Sequence, residues 1–205
     1  MHCNDVTKTS PESVKISGVV DINMKREMKF PFTIELDVAS ANKIGFNITV
    51  PDALSDFNNF MELKFASTKD EEIYGMGLQF TVWDFKGWRV PLLTNEGGVG
   101  RGLSPITEMK GIDGGSEVTS YAAAASFITN KGKGVIFRNN HLGMADFTSA
   151  DASRVLYWHA TSVEGFLISG ESELELAQRA SQTIGTMRAL PEWLSKGIVV
   201  GIVGG

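Results

Sequence analysis

Regular alternation of apolar and polar residues is the feature of this sequence that most limits its fold. Along residues 43–50, Ile44, Phe46, Ile48 and Val50 occupy every second position, with polar residues or glycine between them. Successive side chains of a β-strand point to opposite faces of a sheet, so the alternation gives one apolar face and one polar face. The pattern predicts a half-buried strand of an antiparallel sheet.

The same alternation recurs along much of the chain. Asn130, Lys131, Gly132 and Lys133 separate two of the apolar segments, and they favour a hairpin turn because asparagine and glycine tolerate the left-handed backbone region. Many short strands with no helix between them predict a mainly β fold, an antiparallel β-sandwich or a barrel. The predicted strands are residues 30–38, 43–50, 61–66, 121–129, 134–137, 155–160 and 165–168.

The pattern changes at Ser172. Ser172 and Glu175 have the spacing of a capping box, in which the two side chains bind free backbone amides at the start of a helix. Apolar residues then follow at helical spacing until Pro191, which cannot continue a helix.

Residues 197–203 are apolar on both faces, which is typical of a strand buried in a parallel sheet or at the centre of a barrel.

These segments predict a division of the chain into parts. Residues 1–15 are polar and without periodicity, so a disordered or frayed end is expected. Residues 16–170 are expected to form a β-sandwich domain, and residues 171–192 a connecting helix. Because a strand buried on both faces needs neighbours, residues 193–205 are expected to be the start of a second, truncated domain.

Composition excludes several functions. The chain carries a net charge of −5, so a general attraction to nucleic acid or to anionic lipid is not expected. Its longest apolar run, residues 198–203, is far shorter than the roughly 20 residues that a membrane span needs. The single cysteine, Cys3, and the scattered histidines lack metal-ligand spacing, and we expect no metal or cofactor. No signal segment is visible at the start, which slightly favours the cytoplasm and leaves the compartment unknown.

Glycine, aromatic side chains and polar groups are concentrated in residues 74–102. Glycine permits close approach of the backbone and aromatic rings offer flat surfaces, so this stretch predicts loops shaped around a ligand. Residues 97–102 lack the Gly-Lys-Ser/Thr ending of a phosphate loop. Asp84 and Glu96 are the acids in this stretch, and the sequence alone does not bring them together as a pair of catalytic carboxylates. For Glu96, a substrate contact and a purely structural role both stay open.

Two separated blocks of this stretch resemble glycoside hydrolase family 31. Residues 70–80 read Asp-Glu-Glu-Ile-Tyr-Gly-Met-Gly-Leu-Gln-Phe, and residues 96–102 read Glu-Gly-Gly-Val-Gly-Arg-Gly. They resemble the amino-terminal β-sandwich of that family, closest to the branch that contains sulfoquinovosidases and related bacterial α-glucosidases. Leu78 stands where the family usually has glutamate before Gln79, and Val203 stands where a polar residue is expected in the sulfoquinovosidase branch.

The resemblance implies a galactose-mutarotase-like antiparallel β-sandwich, followed by one helix and the first strand of a truncated (β/α)8 barrel. It implies a retaining α-glycosidase whose catalytic aspartates both belong to the missing carboxyl-terminal barrel, so this chain alone is expected to be inactive. It also implies that a loop at residues 94–102 helps to shape the pocket for an α-glycoside substrate. The candidate substrate-binding residues are Gln79, Asn95, Glu96 and Arg101.

Two questions about this implied site stay open. Arg101 would bind an anionic or hydroxylated sugar through its forked donors, or it would brace the loop against Glu96. The alternative function is a stand-alone carbohydrate-binding or structural β-sandwich without catalysis. Residues 197–205 disfavour that alternative, because an exposed apolar strand promotes association between chains.

Overall fold

The computed structural model of the chain describes residues 2–23, 27–51, 60–79, 82–94 and 117–197. Among these residues the helices are α1 (Glu173–Ile184) and α2 (Glu192–Ser195). The strands are β1 (His2–Ser10), β2 (Ser13–Asn23), β3 (Glu27–Ser40), β4 (Lys43–Thr49), β5 (Phe60–Ala66), β6 (Ile73–Gly77), β7 (Arg89–Leu92), β8 (Ala123–Thr129), β9 (Lys133–Phe137), β10 (Gly143–Asp146), β11 (Ala152–Trp158) and β12 (Ser162–Ser169).

The strands form two sheets that pack face to face. The large sheet has the order β1-β2-β3-β4-β12-β9-β8-β6, and the small sheet has the order β5-β11-β10-β7. Neighbouring strands in both sheets run antiparallel. The prediction of a mainly β fold, an antiparallel β-sandwich with a helix after the strands, is therefore confirmed.

Aromatic rings fill the core between the sheets. The ring of Phe137, in the large sheet, lies 6.2 Å from the ring of Phe65 and 5.6 Å from the ring of Tyr157, both in the small sheet. A neighbouring ring of the large sheet, Phe46, lies 5.8 Å away. All three contacts are edge-to-face, the arrangement that the charge distribution of aromatic rings favours. The rings therefore fix the two sheets against each other.

The amino terminus differs from the expectation of a disordered or frayed end at residues 1–15. Strand β1 pairs with β2, from His2 opposite Val19 to Ser10 opposite Ser13. Almost all of the side chains of β1 are exposed. The strand therefore has no buried face that would produce an apolar alternation, and it is held by backbone hydrogen bonds, which any sequence can make.

The start of α1 agrees with the predicted capping box. Its end does not agree with the prediction that the helix continues as far as Pro191. The Ser172 hydroxyl accepts from the Glu175 N–H at 3.2 Å, and the Glu175 carboxylate accepts from the Glu171 N–H at 2.7 Å. The helix ends at Ile184, before Pro191, because Gly185 follows with a φ of 110°. A glycine with positive φ ends a helix without steric strain, and no proline is needed.

Helix α1 covers part of the outer face of the large sheet. Leu176 is fully buried there against Ile136 and Ile168. Beyond the helix, Met187 and Trp193 are exposed. The strand predicted for residues 197–203 lies outside the described residues apart from Gly197. None of the helices within the described ranges has the length and apolar character needed to cross a membrane.

The cap of α1 gives a test of the fold. We expect Ser172→Ala to lower the free energy of unfolding by about 1 kcal/mol, because the Glu175 N–H loses its acceptor. Urea unfolding followed by circular dichroism measures the loss. Ser181→Ala is the matched control, since the Ser181 hydroxyl donates to the Ala177 carbonyl inside the helix and alanine suits a helix interior. Equal losses in the two variants would contradict the assignment of the cap.

Candidate functional site

An irregularity at the end of β6 redirects the chain. Gly75, Met76 and Gly77 have positive φ angles of 124°, 62° and 91°. The pairing with β8 shifts at this point, since Gly75 lies opposite Phe127 and Gly77 lies opposite Ala123. Met76 is strained in this conformation and is held by its buried side chain, which is 1% exposed. The bulge therefore fixes the direction in which the following residues leave the sheet.

The backbone around Gly77 is in close contact with residues 120–122. A Cβ atom at Gly77 would lie 2.1 Å from the carbonyl oxygen of Ala122. The Leu78 N–H donates to that same oxygen at 2.9 Å. The Ser120 hydroxyl donates to the Leu78 carbonyl oxygen at 2.8 Å. Glycine is required at this position because the neighbouring backbone occupies the space of a side chain.

Gln79 is the predicted site residue that the structure describes. Its Nε2 donates to the Met76 carbonyl oxygen at 3.3 Å. Its Oε1 is buried and has no hydrogen-bond partner within the described ranges. A buried amide oxygen without a partner costs free energy, so this atom is suited to accept from a donor elsewhere in the chain or in a ligand.

The described residues on either side of the segment that carries the other predicted residues are in contact with each other. Thr94 and Ser120 form an isolated parallel bridge, and Ser120 is also bound to Leu78, next to Gln79. Thr94 and Ser120, which flank residues 95–119 in sequence, therefore meet close to Leu78. Three predicted substrate-binding residues belong to this segment and lie outside the described residues, so their roles stay predictions. They are Asn95, Glu96 and Arg101.

Asp84 has a structural role. Its Oδ1 accepts from the backbone N–H groups of Ile73 and Lys86, each at 2.9 Å. The next residue, Phe85, is 1% exposed, and its N–H donates to the Ile73 carbonyl at 2.9 Å. These bonds fasten the turn around Asp84 to the start of β6. The carboxylate is therefore a poor candidate for one of two catalytic carboxylates.

Tyr74 and Trp83 form an aromatic pair at the edge of the large sheet. Their ring centroids are 5.9 Å apart and their planes meet at 50°. Trp83 is 83% exposed. The Tyr74 hydroxyl donates to the Glu72 carboxylate, and this hydrogen bond, with partial burial and nearby negative charges, raises the pKa of Tyr74 to about 12. The sequence shows that aromatic residues are concentrated here, and it carries no signal for which of their rings are in contact.

A buried carboxylate supports the segment that leads into β6. Glu71 is 2% exposed, and its Oε1 lies 2.9 Å from the Nζ of Lys133. Burial alone raises the pKa of Glu71, but the Lys133 ammonium group and the nearby hydroxyl groups of Ser67 and Thr129 outweigh it. The pKa is therefore held below its ordinary value, and the carboxylate is ionised at neutral pH.

The predicted hairpin turn fastens this same segment. Gly132 has a φ of 71° in the turn between β8 and β9, as its sequence indicates. The Asn130 Oδ1 accepts from the Glu72 N–H at 3.0 Å, and the Lys131 Nζ lies 2.5 Å from the Asp70 carboxylate. Two consecutive residues of the turn therefore hold the chain just before β6.

A cavity of about 380 Å³ lies between the two sheets, beside Glu71 and Lys133. Its other walls are mainly apolar and include Phe65, Phe127 and Leu167. Gln79 does not line it, so this cavity and the predicted substrate site are different places. Within the described parts of the chain, no group of three or more histidine, cysteine, aspartate or glutamate side chains could hold a metal ion.

Known proteins similar to this chain are carbohydrate-active enzymes. The sulfoquinovosidase of Agrobacterium fabrum is 26% identical over 157 residues, which cover 75% of this chain and 24% of that enzyme. The sulfoquinovosidase of Escherichia coli is 25% identical over 152 residues, covering 72% of this chain and 22% of the enzyme. The solved structure of a family 31 sulfoquinovosidase from E. rectale, in complex with an aza-sugar inhibitor, matches with a TM-score of 0.78 at 18% identity.

These matches confirm the resemblance to glycoside hydrolase family 31. The solved family 31 structure covers 98% of this chain, and the chain covers 28% of that structure. The chain thus spans about a quarter of the length of its relatives, consistent with the amino-terminal region of the family. No protein-family model matches the chain.

The bulge at Gly77 gives a test that separates steric contact from backbone strain. Gly77 and Gly87 have φ angles of 91° and 90°, and a Cβ atom at Gly87 would have no neighbour within 4 Å. We expect Gly87→Ala to cost about 1 kcal/mol of unfolding free energy, which is the strain of a positive φ alone. Gly77→Ala adds the contact with Ala122 and is expected to cost about 3 kcal/mol or more. Urea unfolding of both variants measures the difference, and equal losses would contradict it.

The Glu71–Lys133 pair gives a test with a defined pH dependence. Folding lowers the pKa of Glu71, so its ionised form adds stability above the pKa of the unfolded chain, near 4.5, and this stability is lost as the pH falls through the folded-state pKa. Lys133→Met is expected to lower the free energy of unfolding by about 2 kcal/mol at neutral pH, less than for a fully buried pair because Lys133 is half exposed. The deficit should shrink on acidification, since protonation of Glu71 removes the negative charge that Lys133 neutralises.

Urea unfolding of Lys133→Met at neutral pH and near pH 4 measures this deficit. Lys131→Met is the matched control, because Lys131 pairs with the exposed carboxylate of Asp70. We expect little change in that variant. A Lys133→Met deficit that is the same at both pH values would contradict a buried, ionised Glu71.

Proposed function

We propose that this chain is the amino-terminal domain of a retaining α-glycosidase, and that residues 94–102 form one wall of its substrate pocket. Similarity to sulfoquinovosidases over about three quarters of the chain supports the enzyme class. The observation that carries the pocket role is the buried, unpartnered Oε1 of Gln79, within the described residues, at the base of this segment.

The proposed roles of the pocket residues follow from their chemistry. The Gln79 Oε1 accepts a hydrogen bond from the loop or from a sugar hydroxyl. Arg101 offers forked N–H donors and a positive charge, which suit either sugar hydroxyls or an anionic group of the sugar. Asn95 and Glu96 supply further donors and acceptors for hydroxyl groups. Leu78, which is 49% exposed, offers no acceptor where the family usually has glutamate.

The substrate class that we propose to test first is an α-glycoside of a sulfonated sugar. Two similar enzymes are sulfoquinovosidases, and Arg101 would balance the charge of a sulfonate. An α-glucoside is the competing substrate, because Leu78 and Val203 both depart from the expected family pattern.

We propose that the catalytic carboxyl groups come from a barrel that this chain lacks. Retaining glycosidases hold two carboxyl groups about 5–5.5 Å apart on either side of the scissile bond. Asp84 accepts two backbone hydrogen bonds through Oδ1, which gives it a structural role in the turn before β7. The chain by itself is therefore expected to bring no hydrolytic activity.

The test of this proposal is the reading frame beyond codon 205 and the activity of the protein that it encodes. We expect a barrel with two catalytic aspartates, and hydrolysis of chromogenic α-sulfoquinovosides or α-glucosides by the extended protein. Arg101→Ala in that protein should lower kcat/KM by about 100-fold, because a charge-assisted contact with substrate is lost. A stop codon at that point, or an extended protein without α-glycosidase activity, would overturn the proposal.

Arg138→Ala is the matched control for this variant. Arg138 is exposed, with its Nε 3.9 Å from the Glu164 carboxylate, and it follows β9, away from residues 94–102 in sequence. We expect kcat/KM to stay unchanged in this control. An unchanged kcat/KM in Arg101→Ala as well would show that the loop at residues 94–102 is only structural.

A further inference from the structure

We propose that the Tyr74–Trp83 pair is a second carbohydrate-binding site, which takes neutral hexopyranose units of an oligosaccharide. The pair consists of two rings at the edge of the large sheet, with the indole of Trp83 almost fully open to solvent. This site does not depend on the barrel or on the pocket proposed at residues 94–102.

The backbone that carries Trp83 is fixed from both sides. Val82 packs against the core before it, and Phe85 is buried after it. The Asp84 carboxylate accepts from two backbone N–H groups and closes the turn. The backbone position of Trp83 is therefore set before any ligand arrives. A pre-organised group loses little conformational entropy on binding, which favours affinity.

Packing against the rest of the protein does not explain why a tryptophan stands at position 83. At 83% exposure, Trp83 buries little apolar area against its neighbours, so its packing contributes little stability. Tyr74 is oriented by the hydrogen bond from its hydroxyl to Glu72. The ring planes are inclined at 50° to each other, and the indole of Trp83 keeps its flat apolar surface open to solvent. The C–H faces of a pyranose ring are suited to such surfaces.

The groups around the rings are acceptors for sugar hydroxyls. The charges of Glu72, Glu173 and Asp84 all act on the Tyr74 hydroxyl and raise its pKa. The Tyr74 hydroxyl donates to Oε2 of Glu72, and the other carboxylate oxygen, Oε1, makes no hydrogen bond within the described residues. Carboxylates accept from hydroxyl groups and repel anions. The site should therefore favour neutral sugars, in contrast to a pocket that contains Arg101.

The Tyr74–Trp83 pair lies on the side of the large sheet that faces away from the core. Tyr74 lies opposite Ile128 of β8, on the outer face of the large sheet. Ile128 packs with Ile136, Ile168 and Leu176, so this face is the one that α1 covers. The charge of Glu173, in the first turn of α1, acts on the Tyr74 hydroxyl from this same side.

The test is sugar binding by the 205-residue chain itself. We expect maltotetraose to bind with a dissociation constant of about 1 mM or below, measured by titration calorimetry and by the tryptophan fluorescence. Trp83→Ala should weaken binding about tenfold or more, because the stacking face is lost. Trp83→Tyr keeps an aromatic face and should recover part of the affinity. Tetragalacturonate, an anionic oligosaccharide of the same length, should bind more weakly than maltotetraose.

Trp193→Ala is the matched control, since Trp193 is 63% exposed and lies in α2. We expect unchanged affinity in this variant, and circular dichroism to show that all three variants keep the fold. Absence of maltotetraose binding by the unaltered chain, or equal affinity in Trp83→Ala, would overturn the proposal. Equal losses in the Trp83 and Trp193 variants would overturn it too. None of these results bears on hydrolysis by the extended protein, so the two proposals fail separately.

Discussion

The contact of Phe137 with three other rings is the interaction on which the sandwich depends. Its neighbours belong to β4, β5 and β11, so one side chain touches both sheets and two distant parts of the sequence. Such contacts determine the distance between the sheets and the direction of each inner face. The bulge of β6, the turn around Asp84 and the buried Glu71 are all built on this frame. Tyr74, Gln79 and Trp83 therefore belong to segments that are fastened to this frame.

The fold could be predicted wherever one face of a strand is buried. Residues 43–50 alternate because β4 packs one face on the core, and the hairpin turn at Gly132 is visible because its backbone needs a positive φ. Strand β1 was missed because its side chains are exposed and its pairing uses only backbone groups. The end of α1 was placed too late because Pro191 is a conspicuous stop signal, while Gly185 ends the helix first. Local sequence patterns thus predict that a strand or helix is present better than they predict the residues at which it begins and ends.

The sequence indicates a candidate site through a pattern of residue types, and the roles of its residues stay predictions. The glycines of β6 can be recognised as positions of unusual backbone, whereas Gln79 is a candidate only because of the block in which it stands. The use of Asp84 as a backbone anchor depends on Ile73, eleven residues earlier. The ion pair of Glu71 depends on Lys133, which lies in another strand. Such pairings arise from the register of strands, and a single sequence holds little information about register between distant strands.

The place of β12 in the large sheet affects how the chain reaches its native state. Gly165 of β12 pairs with Phe46 of β4, roughly 120 residues earlier, and with Phe137 of β9 on its other side. Strands β1 to β4 are synthesised before β12. They cannot join the other strands of the large sheet until β12 pairs with β4. During synthesis the apolar face and the open edge of β4 are therefore exposed until β12 emerges. Closure over such a long loop is slow, so this interval is the period in which the nascent chain is most vulnerable to aggregation.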